Sequence, residues 1–224
     1  MEMTRRQMLG GLLAGAAASV TLPKAWAQKE KPMKLRSFKN EEFYKGDGSF
    51  DPDAAKNAYY EMMGAYGYPI PPRLKSEEFW TLDFALGNFM EVGMAGIFWV
   101  NNQRDNYFGH EIYLLPGQMI PEHKHVKTQD ADPKMEAWQV RHGWVTIYGE
   151  GEDTPGVRNR VPSSHKDCVK ALKETKLMPG EVGKLAEPEQ WHWMLAGPEG
   201  AIVTEYATYH DGNALRFSHP KVTM

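Results

Sequence analysis

Leu114-Leu-Pro-Gly-Gln-Met-Ile-Pro-Glu-His123-Lys-His125 is the stretch that decides the fold. Pro116-Gly117 marks a turn between two short apolar runs, so the string reads strand, turn, strand. It ends on two histidines separated by one residue. Side chains two apart on a strand share a face and lie about 6.6 Å apart along the chain. Both rings can therefore reach one ion at roughly 2.0–2.1 Å. Downstream, Glu136 opens the run Glu136-Ala-Trp-Gln-Val-Arg-His-Gly143, which continues to Gly149 and reads as a hairpin turning at His142-Gly143. His192 follows the turn Pro188-Glu-Gln-Trp191. Three imidazoles and one carboxylate suit a catalytic divalent ion in a β-barrel and leave positions of an octahedral ion open to water or substrate. A lone His-x-His is most often a surface pair or a satisfied core pair. The order of strand pair, hairpin, long insert and second strand–turn–His unit is what marks a metal site here. A structural zinc site would draw on cysteine, and this chain has only Cys168.

Around this centre the sequence reads as mostly β. Short runs separated by Gly/Pro turns predict strands at Phe89–Asn101, Ile112–Leu115, Ala137–Arg141, Trp144–Tyr148, Glu181–Leu185 and Ala201–Tyr206. Such regular spacing indicates a sandwich or barrel. Asp51 followed by Pro52 and a run of helix formers predicts a helix to about Met63, stopped by Gly67-Tyr-Pro-Ile-Pro-Pro72. Ser76-Glu-Glu-Phe-Trp80 reads as a second helix start, and Val169–Lys176, inside the charged insert Glu150–Lys176, as one or two helical turns.

The chain has 224 residues and a formal net charge of −3. Its mild acidity, without basic runs, argues against nucleic acid and anionic membrane surfaces as partners. At the N-terminus, Thr4-Arg-Arg-Gln-Met-Leu9, the uncharged stretch Gly10 to Leu22 and the small-residue end Ala25-Trp-Ala27 read as a twin-arginine signal over residues 1–27. The stretch is too short and too weakly apolar to span a membrane. The expectation is export to the periplasm, with no membrane attachment once the signal is removed. Residues 28–50 read as a flexible lead-in and 51–224 as one domain of full core size.

The strings Pro121-Glu-His-Lys-His125, Glu136 with Gly143, and Pro188 with His192 resemble the two signature motifs of the cupin superfamily. Asp130 stands nearer the usual spacing than Glu136 and is the alternative carboxylate ligand. Within the cupins, the chain from about Phe79 onward resembles the D-lyxose isomerase family. The resemblance is carried by Thr81 to Gly93, Gly117 to Asp130, Leu177-Met-Pro-Gly-Glu181, Gln190-Trp-His192 and Thr204-Glu-Tyr-Ala-Thr-Tyr-His-Asp211. It implies a double-stranded β-helix, the cupin or jelly-roll barrel, with N-terminal helices and usually a homodimer. It implies an aldose–ketose isomerase acting on a free monosaccharide such as D-lyxose or D-mannose. One divalent ion per chain would be held by His123, His125, Glu136 and His192, with manganese or zinc expected and iron or cobalt as alternatives. Glu205 is the candidate base: alternation puts Val203, Glu205 and Ala207 on one face, and a buried carboxylate among small apolar residues has a raised pKa. Lys127 is its candidate partner, and His110, Trp191, Arg216 and Asp211 are candidate sugar contacts. The competing readings are an iron cupin dioxygenase, with an apolar pocket and no acid–base pair, and an exported sugar- or metal-binding protein without turnover.

Overall fold

The structure is a computed structural model and describes residues 35–224. The proposed signal at 1–27 and the start of the lead-in lie outside the described residues. From Leu35 the lead-in is not loose. A short 3₁₀ turn at Asn40–Phe43 buries Phe43, and Arg36 bonds Glu42 and Glu61 at 2.7 and 2.8 Å. Its aromatic residues anchor it to the layer that follows.

Helix α1 (Pro52–Tyr66) forms as the sequence predicts and runs three residues further. The Asp51 carboxylate accepts from the amides of Asp53 and Ala54, a cap worth about 1 kcal/mol. Gly67, in the left-handed region at φ 64°, ends the helix. Its inner face buries Ala55, Ala58, Tyr59, Met62 and Met63. Each of the larger side chains contributes about 1.5–3 kcal/mol of burial.

The remainder is an antiparallel sheet of nine strands: β1 (Trp80–Leu82), β2 (Met94–Asn102), β3 (Tyr107–Leu114), β4 (Met119–His125), β5 (Glu136–Gly149), β6 (Lys173–Leu177), β7 (Val182–Lys184), β8 (His192–Ala207) and β9 (Leu215–Phe217). It curls into a jelly-roll barrel around β8. One edge of β8 pairs with β3 through residues 201–207 and with β4 through 192–195, while its other edge pairs with β5 along nearly the full length. Alternation sorts the two faces. Ala95, Ile97, Tyr113 and Ile202 point outward beneath α1, whereas Ile112, Leu114, Trp138, Val140 and Val203 fill the barrel.

Four sequence expectations change. His142-Gly143 is not a hairpin turn but a bulged bend within β5, because both halves of β5 pair with the same strand, β8. Gly143 sits there at φ 67°, and a Cβ on it would run into the carbonyl oxygen of Gly200. Ser76–Trp80 starts no helix: Phe79 packs under α1 while Trp80 opens β1 and turns into the barrel, the alternation of a strand. The predicted turns at Val169–Lys176 give way to β6, which pairs with Val145–Gly149. Its Lys-Glu-Thr-Lys text carries the charges common on edge strands and hides the alternation. The strand expected from Phe89 begins at Met94.

Candidate metal centre and acid–base site

The barrel holds a cavity of about 400 Å³. His123 and His125 reach it from β4, Glu136 from the start of β5 and His192 from the start of β8, each placed by the register of its strand. One ligand atom from each of the four lies within 4.8 Å of the others. The Nε2 atoms of His125 and His192 stand 3.4 and 3.2 Å from the two carboxylate oxygens of Glu136. In His123 and His192 the Nδ1–H donates to the carbonyls of Pro121 and Gln190 at 2.8 and 2.9 Å. A neutral ring held this way presents its lone pair on Nε2, the tautomer of a metal ligand. Glu136 Oε2 and His192 Nε2 are buried with no hydrogen-bond partner. Unpartnered buried groups of this kind cost about 1–3 kcal/mol each, a cost that a bound cation removes. The donor set therefore fits a divalent ion. Asp130 is exposed, only its backbone is engaged (its N–H by Thr128, its oxygen by Gln103), and it takes no part.

Burial drives His123 well below its ordinary pKa, reinforced by the neighbouring imidazoles, so its ring is neutral. Burial would raise Glu136, but Lys134 and the imidazoles more than offset it and hold the group as a carboxylate.

Beside this centre stands a second polar group that the sequence reading only half found. Glu205 is buried on the inner face of β8, as alternation predicts. Its Oε2 lies 3.0 Å from Nδ1 of His110, and its Oε1 accepts from Lys134. The same ammonium lies 3.1 Å from Glu136 Oε1 and 4.4 Å above the Phe108 ring. Burial would raise the Glu205 pKa, yet Lys134, aided by His110, brings it below the usual carboxylate range. The expected raised value is corrected by a cation that sequence spacing did not place. His110 stacks on Trp80 at 5.5 Å, and both rings occupy the space that a side chain at residue 96 would need, so Gly96 is required there.

Other expected contacts are absent. Lys127 is exposed and pairs with Asp132 at 3.1 Å, and the site lysine is Lys134. Trp191 lies outside the cavity beneath the ammonium groups of Lys124 and Lys170. Arg216 is exposed and bonds the carbonyls of Asn213 and Leu215. Asp211 ties down a loop by accepting from Thr128 and the amide of Asn213. Two further side chains were missed. His210 lines the cavity, its backbone held at both N and O by Asn101. Phe108 stacks on it at 5.3 Å.

No profile of a known protein family matches the chain. Individual relatives do. A D-lyxose/D-mannose isomerase of Thermosediminibacter oceani is 34% identical over 163 residues, covering 73% of this chain and 88% of its own. A D-lyxose ketol-isomerase of Cohnella laeviribosi is 33% identical over 168 residues, covering 75% and 90%. Among solved structures, L-ribose isomerases of Cellulomonas parahominis and Acinetobacter sp. DL28 superpose with TM-scores of 0.59 and 0.58. Each is 15% identical to this chain and covers 76% of it and 92% of its own length, a likeness of fold.

Proposed function

Because the chain belongs to the D-lyxose isomerase family of sugar isomerases, we propose that it interconverts a free aldose and the corresponding ketose with one divalent ion on His123, His125, Glu136 and His192. The observation that carries this reading is the juxtaposition, in one cavity, of that donor set with the Lys134–Glu205–His110 group. Isomerisation moves a proton from the carbon beside the carbonyl to the carbonyl carbon, while the hydroxyl proton on that neighbouring carbon passes to the former carbonyl oxygen. Glu205, kept ionised by Lys134, accepts the carbon-bound proton as a carboxylate and returns it to the carbonyl carbon. His110 fixes the carboxylate plane, so one group can serve both carbons without turning away. Lys134, within reach of both carboxylates, donates toward the substrate oxygens as their charge changes. The ion, when bound, supplies Lewis acidity to the two adjacent substrate oxygens. Manganese or zinc suits the donors, as do iron and cobalt.

The apolar cavity walls also suit the dioxygenase reading, but that reading has no use for a buried carboxylate held between an ammonium and an imidazole. Turnover of the metal-reconstituted protein on a panel including D-lyxose and D-mannose tests the proposal. Ketose formation that depends on added metal supports it. Sugar binding without ketose formation under every divalent metal refutes it and favours a binding protein.

A further inference from the structure

Resting on the isomerase reading, a seam in the barrel wall bears on which sugars reach the site. β1 pairs only with β2, and β9 only with β4, so these strands end the two arms of the sheet and, among the described residues, no strand pairing joins them. The seam is closed instead by side chains and one backbone bond. Phe84, just past β1, packs edge-to-face on Phe217 of β9 at 6.0 Å. The amide of Thr223 donates to the Phe84 carbonyl at 3.2 Å. Val222 beside it is buried among the barrel residues, and the amide of Ser218 ties the start of this segment to the Glu122 carbonyl at 3.1 Å.

Two observations mark the seam as the mouth of the cavity. Phe84, Phe217 and Met224 all line it, and Met224 is the one exposed residue of that lining among the described residues, at 68%. Its side chain therefore stands where the cavity meets solvent. Of the four metal donors only His123 is half-buried, and its ring lies 6.0 Å from that of Phe217. The donor set thus opens toward the seam.

The wall on the β1 side is fixed. Phe84 and Ala85 lie in the left-handed region at φ 55° and 56°. Two consecutive non-glycine residues persist there only where their surroundings hold them. Here the Asp83 carboxylate accepts from the amide of Ala85 at 3.0 Å and from the hydroxyl of Tyr44 at 3.1 Å. Met224, unbranched and largely exposed, is the adjustable wall. The cavity, at about 400 Å³, lies near the small end of ligand pockets, which run from about 300 to 1,000 Å³. A second sugar ring would have to leave it through the seam, between these two side chains.

We propose that the sugar enters through the β1–β9 seam and that Phe84 and Met224 determine specificity there, admitting a free monosaccharide and turning away one that carries a second sugar.

The metal-loaded full chain is assayed for ketose formation on D-mannose and D-lyxose. Each is compared with disaccharides that carry the same aldose as their free reducing end, linked through O4 or through the terminal oxygen. The wild type should favour the monosaccharide by at least about a hundredfold in kcat/KM, and Met224→Ala should narrow that ratio about tenfold or more for at least one linkage. Met224 lies outside the core, so this variant keeps the fold. Phe84→Leu, which lowers the inner wall and stays apolar, should shift the ratio the same way. A ratio unchanged for both linkages in both variants, or equal turnover of a disaccharide by the wild type, overturns this inference and leaves the isomerase reading intact. Ketose from none of the sugars overturns both.

Discussion

At the scale of single residues, the sequence carried the donor set well and its partners poorly. His123, His125 and His192 are fixed by strand alternation and by the turn before each strand, which spacing alone reveals. Glu136 over Asp130 follows from the strand start, and Glu136→Gln should lower divalent-metal content more than Asp130→Asn, as elemental analysis of the purified variants would read. The opposite order would move the ligand to the loop. Lys134 was illegible because its place depends on the path of residues 126–135, which have no periodicity, so Lys127, two residues past His125 in the sequence, was taken for the site lysine although it stands in solvent beside Asp132. Outside the site, burial pushes His165 down to about 4, with His219 adding to the effect. The unfolded chain then binds this proton near its ordinary value of 6.5 while the folded chain does not. Stability is full above that value and is lost as pH falls toward 4, by about 2 kcal/mol at pH 5. Urea unfolding at pH 7 and pH 5 should show this loss in the wild type and a smaller one in His165→Gln. Equal losses would mean that His165 does not titrate on unfolding.

At the scale of elements, α1 was legible from its cap, its proline and its terminating glycine, all local signals. The β5–β8 pair was not. Two bends in register, at 141–145 on β5 and 196–202 on β8, depend on each other across the sheet, and a single strand's text shows only a turn-like His-Gly. Gly143→Ala places a Cβ against the Gly200 carbonyl at a positive φ, and should cost about 1–3 kcal/mol. Because this bend joins the half of β5 carrying Glu136 to the half facing His192, the variant should also lose metal affinity. Thermal unfolding together with metal titration checks both, and an unchanged melting temperature would contradict the geometry.

At the scale of the whole molecule, the mostly β barrel was readable from strand spacing, while the layer beneath α1 was not. It is assembled from Phe43, Phe79, Phe89 and Tyr113, which lie far apart in sequence. Export remains our proposal from the Arg5-Arg6 pair and the Ala25-Trp-Ala27 end. Replacing both arginines with lysine should leave uncleaved precursor in the cytoplasm by fractionation, and normal maturation of that variant would reject the twin-arginine route. The central claim is that one buried carboxylate beside a metal-donor set moves the proton. Its most direct test is ketose formation by metal-loaded wild type and Glu205→Gln, with metal content measured on the same samples. The account predicts equal metal and at least about a hundredfold loss of turnover in Glu205→Gln. Undiminished turnover at equal metal would contradict it.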